Sequence, residues 1–248
     1  MSAAACATGM PGLIGVLGGM GPLATIDFMH KLLSATPACV DQDHVPVIVS
    51  SIPQVPDRAA AFRGEGVSPL AAMVASGQRL ALAGAGLVVI PCNTAHLWFD
   101  KIQAALDLPM LHLVDAALED AIRSVGAGGT IGLLCTDATL ASGLYMNRAR
   151  HGDVDGRVQW ALPTAGEMME LVMPGIDAVK AGDLSRGSEL LELAAQALIK
   201  RGAQALVLGC TEVPIVLGRA NVSVPVIDAT ASLARRAVAW SLAQREPA

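Results

Sequence analysis

The sequence is poor in aromatic side chains. Only 3% of its 248 residues are Phe, Trp or Tyr, although 53% are hydrophobic. Small aliphatic residues must therefore pack the core, which suits closely layered helices and strands. No apolar run approaches the roughly 20 residues that a membrane-spanning helix needs. These absences predict a globular α/β protein with no membrane partner.

The sequence also lacks a basic segment. The formal net charge is −5, and the charged residues are spread along the chain. A nucleic-acid partner requires a patch of Lys and Arg that neutralises phosphates, so we expect none. The first ten residues have neither the basic flank nor the apolar stretch of a secretory signal. We expect a cytoplasmic protein whose residues 1–11 form a disordered tail.

The cysteines fit neither a disulfide framework nor a zinc site. Their number is odd, and no two of them form a close CxxC pair. We expect free thiols and no bound metal. A lone cysteine of this kind is most often a small buried apolar residue. The five are Cys6, Cys39, Cys92, Cys135 and Cys210.

Short β-branched runs alternate with longer amphipathic stretches along the chain. This alternation is typical of βα units with a largely parallel sheet. Pro22, in a first helical turn, and Asp115 and Asp228, each shortly after a strand, are predicted helix starts, the two Asp residues as N-caps. The predicted strands are 14–17, 46–51, 87–90, 110–113, 130–134, 158–161, 205–208 and 225–227.

An internal repeat divides the chain into two similar halves. Residues 84–94 (GAGLVVIPCNT) align without a gap with residues 202–212 (GAQALVLGCTE), and IGVL at 14–17 pairs with IGLL at 131–134. Each half therefore opens on an Ile-Gly strand and carries a cysteine just past a later strand. Because ligands bind beyond the carboxyl ends of parallel strands, the halves should face Cys92 and Cys210 across one cleft. The predicted domains are 12–115, with 226–246 packing back onto it, and 116–225.

The residues around Cys92 and Cys210 favour a catalytic role for these cysteines over a purely structural one. Each follows a strand and precedes small polar residues, where an interior thiol would have apolar neighbours. Backbone N–H groups and a helix N-terminus can hold an anion there and lower a thiol pKa from about 8.5. Alone, either cysteine would more often be structural.

The glycine-rich loop 18–22 (GGMGP) has three interpretations. It fits a relaxed dinucleotide fingerprint, but the acidic residues at the expected distance lie in a proline-flanked loop, and Pro22 removes one N–H from the phosphate nest. We therefore favour close approach of Met20 and Gly21 to a small carboxylate. A tight turn without a ligand is the remaining alternative.

Four further residues each have a functional and a structural interpretation. Arg58, in a stiff proline-flanked loop, could hold a carboxylate or be solvated. Lys180 closes a predicted helix, where it would favour the helix dipole. His96 could be the base of a thiol or pack on its own loop. Glu212 could orient Cys210 or cap the next helix.

Five motifs occur in order along the chain: GGMGP at 18–22, PDR at 56–58, PCNTAH at 91–96, VKAG at 179–182 and GCTEV at 209–213. Together they resemble the aspartate racemase branch of the aspartate/glutamate racemase superfamily, and the resemblance covers nearly the whole chain after Pro11. This resemblance implies two pseudo-symmetric flavodoxin-like α/β domains with parallel sheets, a cleft between them, a homodimer, and catalysis without pyridoxal phosphate or metal.

The resemblance also implies roles for individual residues. Cys92 and Cys210 match the two acid/base thiols, and Arg58 and Lys180 match residues that bind the side-chain carboxylate of the substrate. Asn93, Thr94, Ala95 and Thr211 match groups that hold the α-carboxylate and ammonium, and Met20, Gly21, Thr136 and Glu212 complete the candidate substrate site. One stretch departs from the pattern, because Cys135 and Asp137 stand where a small residue and a hydroxyl are expected. Asp137 could pair with the substrate ammonium.

The expected function is racemisation of aspartate or glutamate. Two groups in opposite protonation states must flank the α-carbon, and a thiolate and a thiol meet this need. The alternatives are a broad-specificity amino-acid or hydantoin racemase, a single-cysteine enzyme of the same superfamily, and a noncatalytic small-molecule binder on a flavodoxin-like fold. The presence of two matched cysteines disfavours the single-thiol chemistries.

Overall fold

A computed structural model of the chain describes residues 10–151 and 158–245. The strands are β1 (Ile14–Gly18), β2 (Val47–Ser51), β3 (Leu87–Val89), β4 (Met110–Leu111), β5 (Gly129–Leu134), β6 (Val158–Ala161), β7 (Ala205–Leu208) and β8 (Val226–Asp228). All eight predicted strands are thus confirmed within a few residues. Cys6 and residues 1–9 of the predicted tail lie outside the described residues.

The strands form two parallel sheets with the same topology. The first has the order β2-β1-β3-β4, and the second has the order β6-β5-β7-β8. Their common 2-1-3-4 order is that of the flavodoxin-like fold. The Ile-Gly strands β1 and β5 occupy equivalent central positions, and so do β3 and β7, which precede the paired cysteines. The predicted fold of two pseudo-symmetric α/β domains is confirmed.

Helices of varied length connect the strands. They are α1 (Pro22–Ala35), α2 (Arg58–Phe62), α3 (Leu70–Leu82), α4 (Phe99–Leu106), α5 (Leu113–Val125), α6 (Asp137–Ala141), α7 (Leu144–His151), α8 (Ala165–Glu167), α9 (Met173–Lys180), α10 (Leu184–Lys200), α11 (Val213–Val216) and α12 (Ala229–Ala243). Short 3-10 turns occur at Asp41–Asp43 and Thr94–Trp98, and Met168–Val172 forms a π-helical turn. No helix in the described parts of the chain is long and apolar enough to cross a membrane.

The predicted helix starts are partly confirmed. Pro22 begins α1, and the carboxylate of Asp228 accepts hydrogen bonds from the backbone of Thr230 and Ala231 as the N-cap of α12. Asp115 was predicted to be an N-cap, and this is wrong. Helix α5 begins two residues earlier, so Asp115 lies inside its first turn and pairs with Arg148.

Three clusters of buried side chains form the core. One cluster combines one face of each sheet, for example Ile14 of β1 and Ile131 of β5, with residues of α5 and α12. Each of the other two clusters covers the opposite face of a single sheet. Burying one such side chain contributes about 1.5–3 kcal/mol. The shared cluster therefore ties the two sheets together.

The C-terminal segment belongs to both halves. Helix α12 packs against α1 of the first half and against α5. Strand β8, however, pairs with β7 in the second sheet, with Leu206 opposite Val226. The first three residues of the segment 226–246 thus complete the second sheet, while its helix packs on the first half. The domain boundaries stay a prediction.

The glycine of each Ile-Gly strand allows a helix to approach its sheet. A Cβ atom on Gly15 would lie 2.9 Å from the Cβ of Ala85 and 3.2 Å from that of Leu80 in α3. The equivalent Gly132 faces the corresponding residues of the other half, Ala203 and Leu198, at 3.1 and 3.3 Å. The repeated Ile-Gly pair is thus explained by packing.

We predict that Gly15→Ala and Gly132→Ala each destabilise the fold. The added methyl group overpacks a filled core, which costs about 1–3 kcal/mol. Thermal unfolding should show a lower Tm for both variants. Gly166→Ala in α8 is the matched control, because a Cβ there meets no atom within 4 Å. Unchanged Tm values for both strand variants would contradict the packing explanation.

Candidate active site

Both paired cysteines lie just beyond the carboxyl end of a strand. Strand β3 ends at Val89 shortly before Cys92, and β7 ends at Leu208 shortly before Cys210. The two thiols line one cavity of about 50 Å³. Only 6% of Cys92 and 5% of Cys210 is exposed to solvent. The repeat therefore brings both thiols to a single cavity.

The cavity collects most of the residues that the sequence indicated. Asp57 and Ala59 also line it, although neither was assigned a role from the sequence. Gly21 and Ala95 do not line this cavity. The predicted residues in its wall are Met20, Arg58, Cys92, Asn93, Thr94, Thr136, Lys180, Cys210, Thr211 and Glu212.

A second, larger cavity adjoins the first. It has a volume of about 430 Å³ and shares Asp57, Arg58, Lys180 and Glu212 with the inner one. Gly21 lines this outer cavity together with apolar residues such as Leu23. Four charged side chains therefore form the common wall between the two spaces.

Cys92 lies close to a cation. Burial raises the pKa of its thiol, but the positive charge of Arg58 and hydrogen bonds from the Ala95 amide and the Arg58 guanidinium act in the opposite direction. Ala95 thus contributes through its backbone, and its side chain is buried in the apolar cluster of the first half. The charge of Glu212 adds to the effect of burial, so the pKa of Cys92 stays raised, and Arg58 and the Ala95 amide limit the rise.

Cys210 lies beside a carboxylate. Its Sγ donates a hydrogen bond to Oε2 of Glu212 at 3.0 Å, and the hydroxyl of Thr211 donates to the same oxygen at 3.2 Å. Burial and the Glu212 carboxylate raise the pKa of Cys210 well above its usual value, against the opposing charge of Lys180. Glu212 makes no side-chain cap to α11. Of its two interpretations, the structure supports orientation of Cys210.

Each of the two cations interacts with a different thiol. Arg58 lies near Cys92, whereas Lys180 is drawn towards Cys210 and Glu212. Burial opposes the charge of Lys180, but its electrostatic interactions with Cys210, Glu212 and Asp177 outweigh burial and raise the pKa of Lys180. The guanidinium Nη1 of Arg58 donates to two backbone carbonyls at 3.3 Å, and its buried Nε has no partner within the described residues.

Asn93 and Thr94 connect the first half to the second. Oδ1 of Asn93 accepts a hydrogen bond from the hydroxyl of Tyr145 at 2.6 Å. The hydroxyl of Thr94 lies 3.3 Å from that of Thr136 and 2.9 Å from that of Thr139. The buried Nδ2 of Asn93 has no partner within the described part of the chain. Two buried donors in the cavity residues, Asn93 Nδ2 and Arg58 Nε, are therefore available to a ligand with acceptor atoms.

His96 does not act on the thiol. Its Nε2 accepts a hydrogen bond from the Leu113 amide at 3.1 Å, so its Nδ1 carries the proton and donates to the carbonyl oxygen of Cys92 at 2.8 Å. Burial lowers the pKa of His96 to about 4, which keeps the ring neutral. The structure supports the packing interpretation, and His96 fixes the turn that carries Cys92.

Close packing explains most of the glycines in the loop 18–22. A Cβ on Gly18 would lie 2.5 Å from Cγ2 of Thr25, and a Cβ on Gly19 would lie 2.4 Å from the backbone nitrogen of Ile52. Gly19 also has a φ of +89°, which favours glycine. Of this loop, Met20 lines the inner cavity, and Gly19, Gly21 and Pro22 line the outer one.

The two unusual residues at 135 and 137 lie outside the inner cavity. Cys135 is fully buried in the shared core, and burial raises the pKa of its thiol. Asp137 pairs with Arg63 at 3.3 Å, a contact that joins α6 to the end of α2. The idea that Asp137 pairs with a substrate ammonium therefore finds no support in the geometry.

Sequence reasoning missed Asp57 and Tyr145. Asp57 is the N-cap of α2 and accepts a hydrogen bond from the Ala60 amide at 2.6 Å, and its position after Pro56 was the available signal. Tyr145 carries no local signal, because its partner lies 52 residues away. Within the described residues, no group of three or more His, Cys, Asp or Glu side chains could hold a metal ion.

Comparisons with known proteins agree on one family. The model of the Asp/Glu/hydantoin racemase family matches residues 17–237. The broad specificity amino-acid racemase RacX of Bacillus subtilis is 26% identical over 240 residues, which cover 93% of this chain and 99% of the relative. The glutamate racemase of Acidothermus cellulolyticus is 30% identical over 211 residues, which cover 81% of this chain and 68% of the relative.

A solved structure supports the same relationship. The aspartate racemase of Picrophilus torridus superposes with a TM-score of 0.80 at 30% sequence identity. The superposition covers 92% of this chain and 94% of that protein.

We predict that Glu212→Gln lowers the pKa of Cys210, because it removes the negative charge that opposes the thiolate. Iodoacetamide should then alkylate Cys210 at a lower pH than in the unchanged protein, as followed by mass spectrometry. Glu189→Gln is the matched control, since the side chain of Glu189 is 64% exposed and pairs with Arg186. An alkylation curve for Cys210 that stays in place or moves to higher pH would argue against this role of Glu212.

Proposed function

The chain belongs to the Asp/Glu/hydantoin racemase family and is an amino-acid racemase, and we propose that it interconverts L- and D-aspartate or glutamate by proton transfer between two thiols. In this proposal neither pyridoxal phosphate nor a metal takes part. The observation that carries it is the meeting of Cys92 and Cys210 in one cavity with charged neighbours of opposite sign.

The charges around the thiols support a division of labour. Racemisation needs a base on one face of the α-carbon and an acid on the other. Arg58 favours the thiolate of Cys92, and Glu212 favours the protonated thiol of Cys210. Cys92 then removes the α-proton of one enantiomer while Cys210 returns a proton to the opposite face. The other enantiomer is processed with the roles exchanged.

The carbanion requires stabilisation, because the proposed reaction has no cofactor to accept its electrons. Negative charge develops on the α-carboxylate as the proton leaves, and preorganised donors stabilise such charge. The Nδ2 of Asn93 lines the cavity without a partner among the described residues and can supply such a donor. This arrangement supports binding of the α-carboxylate beside Asn93.

The two cations favour an acidic substrate. Arg58 and Lys180 stand in the wall shared by the inner and outer cavities. A distal carboxylate between them would satisfy the buried Nε of Arg58 and would add charge-assisted hydrogen bonds. Aspartate and glutamate both carry such a group.

A broad-specificity amino-acid racemase is the second candidate. The outer cavity of about 430 Å³ has apolar residues such as Pro22 and Leu23 in its lining, and it offers room for a longer or neutral side chain. The similarity to RacX points the same way. A noncatalytic binder would have no use for two matched thiols.

We also propose that the protein is a homodimer, which sedimentation or light scattering would test.

We predict that the protein exchanges the α-proton of aspartate or glutamate in deuterated water. Cys92→Ser and Cys210→Ser should each lower racemisation by several orders of magnitude, because a serine hydroxyl is a far weaker acid than a thiol. The measurement is NMR of the α-proton across a panel of amino acids, with enzyme dialysed against chelator and without added pyridoxal phosphate.

The matched control for these variants is Cys39→Ser, at an exposed position away from the cavity. It should retain the activity of the unchanged enzyme. Circular dichroism should show that all three variants are folded. Full turnover in Cys92→Ser or Cys210→Ser would remove that residue from the mechanism. Exchange that occurs only after a metal or pyridoxal phosphate is added would overturn the cofactor-independent reaction.

We predict that alanine is a much poorer substrate than aspartate or glutamate. Without a distal carboxylate, each lost charged hydrogen bond costs about 1.5–3 kcal/mol. Arg58→Ala should remove most of this preference by weakening the acidic substrates more than alanine. The measurement is kcat/KM for alanine, aspartate and glutamate with the unchanged enzyme and with Arg58→Ala. An unchanged ratio would exclude the role of Arg58, and a wild-type preference for alanine would favour the second candidate.

A further inference from the structure

Tyr145 is the single tyrosine of the chain, and it is fully buried. It lies in α7 of the second half, yet its hydroxyl donates a 2.6 Å hydrogen bond to Oδ1 of Asn93 in the first half. Asn93 follows Cys92 directly and is 3% exposed. A residue outside the cavity therefore contacts one of the groups that line it.

The hydrogen bond determines which end of the Asn93 amide faces the cavity. With Oδ1 bound to Tyr145, Nδ2 remains buried without a partner among the described residues. If the amide were reversed, Nδ2 would point at the hydroxyl, and both the phenolic proton and Oδ1 would lack partners. Since buried donors and acceptors rarely stay unpaired, the first orientation is favoured.

We propose that Tyr145 is a positioning residue that fixes the Asn93 amide, so that Nδ2 is presented to a carboxylate of the substrate. The inference rests on the proposed function of the cavity. Tyr145 itself touches no substrate. Its hydrogen bond to Oδ1 prevents the Asn93 amide from turning its oxygen towards the cavity. The donor Nδ2, and not the acceptor Oδ1, then faces the negative charge of the substrate.

The phenol is well placed for this role because packing immobilises its ring. The Tyr145 and Trp160 rings meet edge to face, with centroids 6.5 Å apart. A Cβ on Gly209, the residue before Cys210, would lie 3.1 Å from Cε2 of Tyr145. Burial raises the pKa of Tyr145 well above its usual value, so the hydroxyl remains a donor. One ring thus supports the turns of both thiols.

The test is a double-mutant cycle with Tyr145→Phe and Asn93→Ala. Tyr145→Phe removes only the hydroxyl, and it should lower kcat/KM for the acidic substrate by about tenfold or more, with effects on both KM and kcat, because the oriented hydrogen bond binds the α-carboxylate and stabilises the charge that develops on it. In the Asn93→Ala background the same change should have an effect of less than about twofold. An equal loss in both backgrounds, or no loss in Tyr145→Phe alone, overturns the inference.

Trp160→Phe is the matched control for packing. It alters the ring that contacts Tyr145 but leaves the hydroxyl in place, so it should lower Tm while kcat/KM changes less than about twofold. If Trp160→Phe reduces kcat/KM as much as Tyr145→Phe does, the role of Tyr145 is merely structural. This result would also overturn the inference.

A binding experiment with succinate tests the positioning role of Tyr145 independently of the proposed reaction. Calorimetry with succinate, a dicarboxylate that has no α-ammonium group, should show the same non-additive loss of affinity in the double-mutant cycle. If the wild type binds succinate with this pattern but exchanges no α-proton, the reaction is wrong and the positioning role stands. If exchange occurs and Tyr145→Phe changes neither kcat/KM nor succinate affinity, only the positioning role fails.

Discussion

Hydrogen bonds between the two halves, directly beside the cavity, hold the site together. The turn after Cys92 is bound to the second half through Asn93 and Tyr145 and through Thr94 with Thr136 and Thr139. These groups are buried, so an unmade bond would leave a polar atom without water and cost about 1–3 kcal/mol. Because the sheets share no strand, the relative position of the two thiols depends on this hydrogen-bonded seam together with the core cluster that both sheets share.

The secondary structure was predictable because the signal for it is local. Runs such as 87–90 and 205–208 are short, apolar and β-branched, and the repeat reveals their equivalence without any coordinates. The two thiols could be placed at one cleft for the same reason, since parallel strands end at a common edge. Asp115 shows the limit of local signals, because α5 begins at Leu113 and the carboxylate then pairs with Arg148 of a distant helix.

Features that depend on contacts between residues far apart in the sequence were not predictable. Nothing near Tyr145 in the sequence indicates that its hydroxyl reaches Asn93, and nothing near His96 indicates that the Leu113 amide occupies its Nε2. The sequence also grouped Arg58 and Lys180 as one clamp. The structure adds that each cation stands beside a different thiol, so they affect proton affinity as well as substrate binding.

The difference between the thiols arises at one position of the repeat. Thr94 and Glu212 occupy equivalent places, two residues after Cys92 and Cys210. In the first half the neutral hydroxyl turns to the seam, whereas in the second half the carboxylate accepts a hydrogen bond from the thiol itself. A duplicated fold thus supplies two equivalent thiols, and the carboxylate that binds one of them, together with the different neighbouring cations, gives them unequal proton affinities. Two identical half-sites would lack this difference between the thiols.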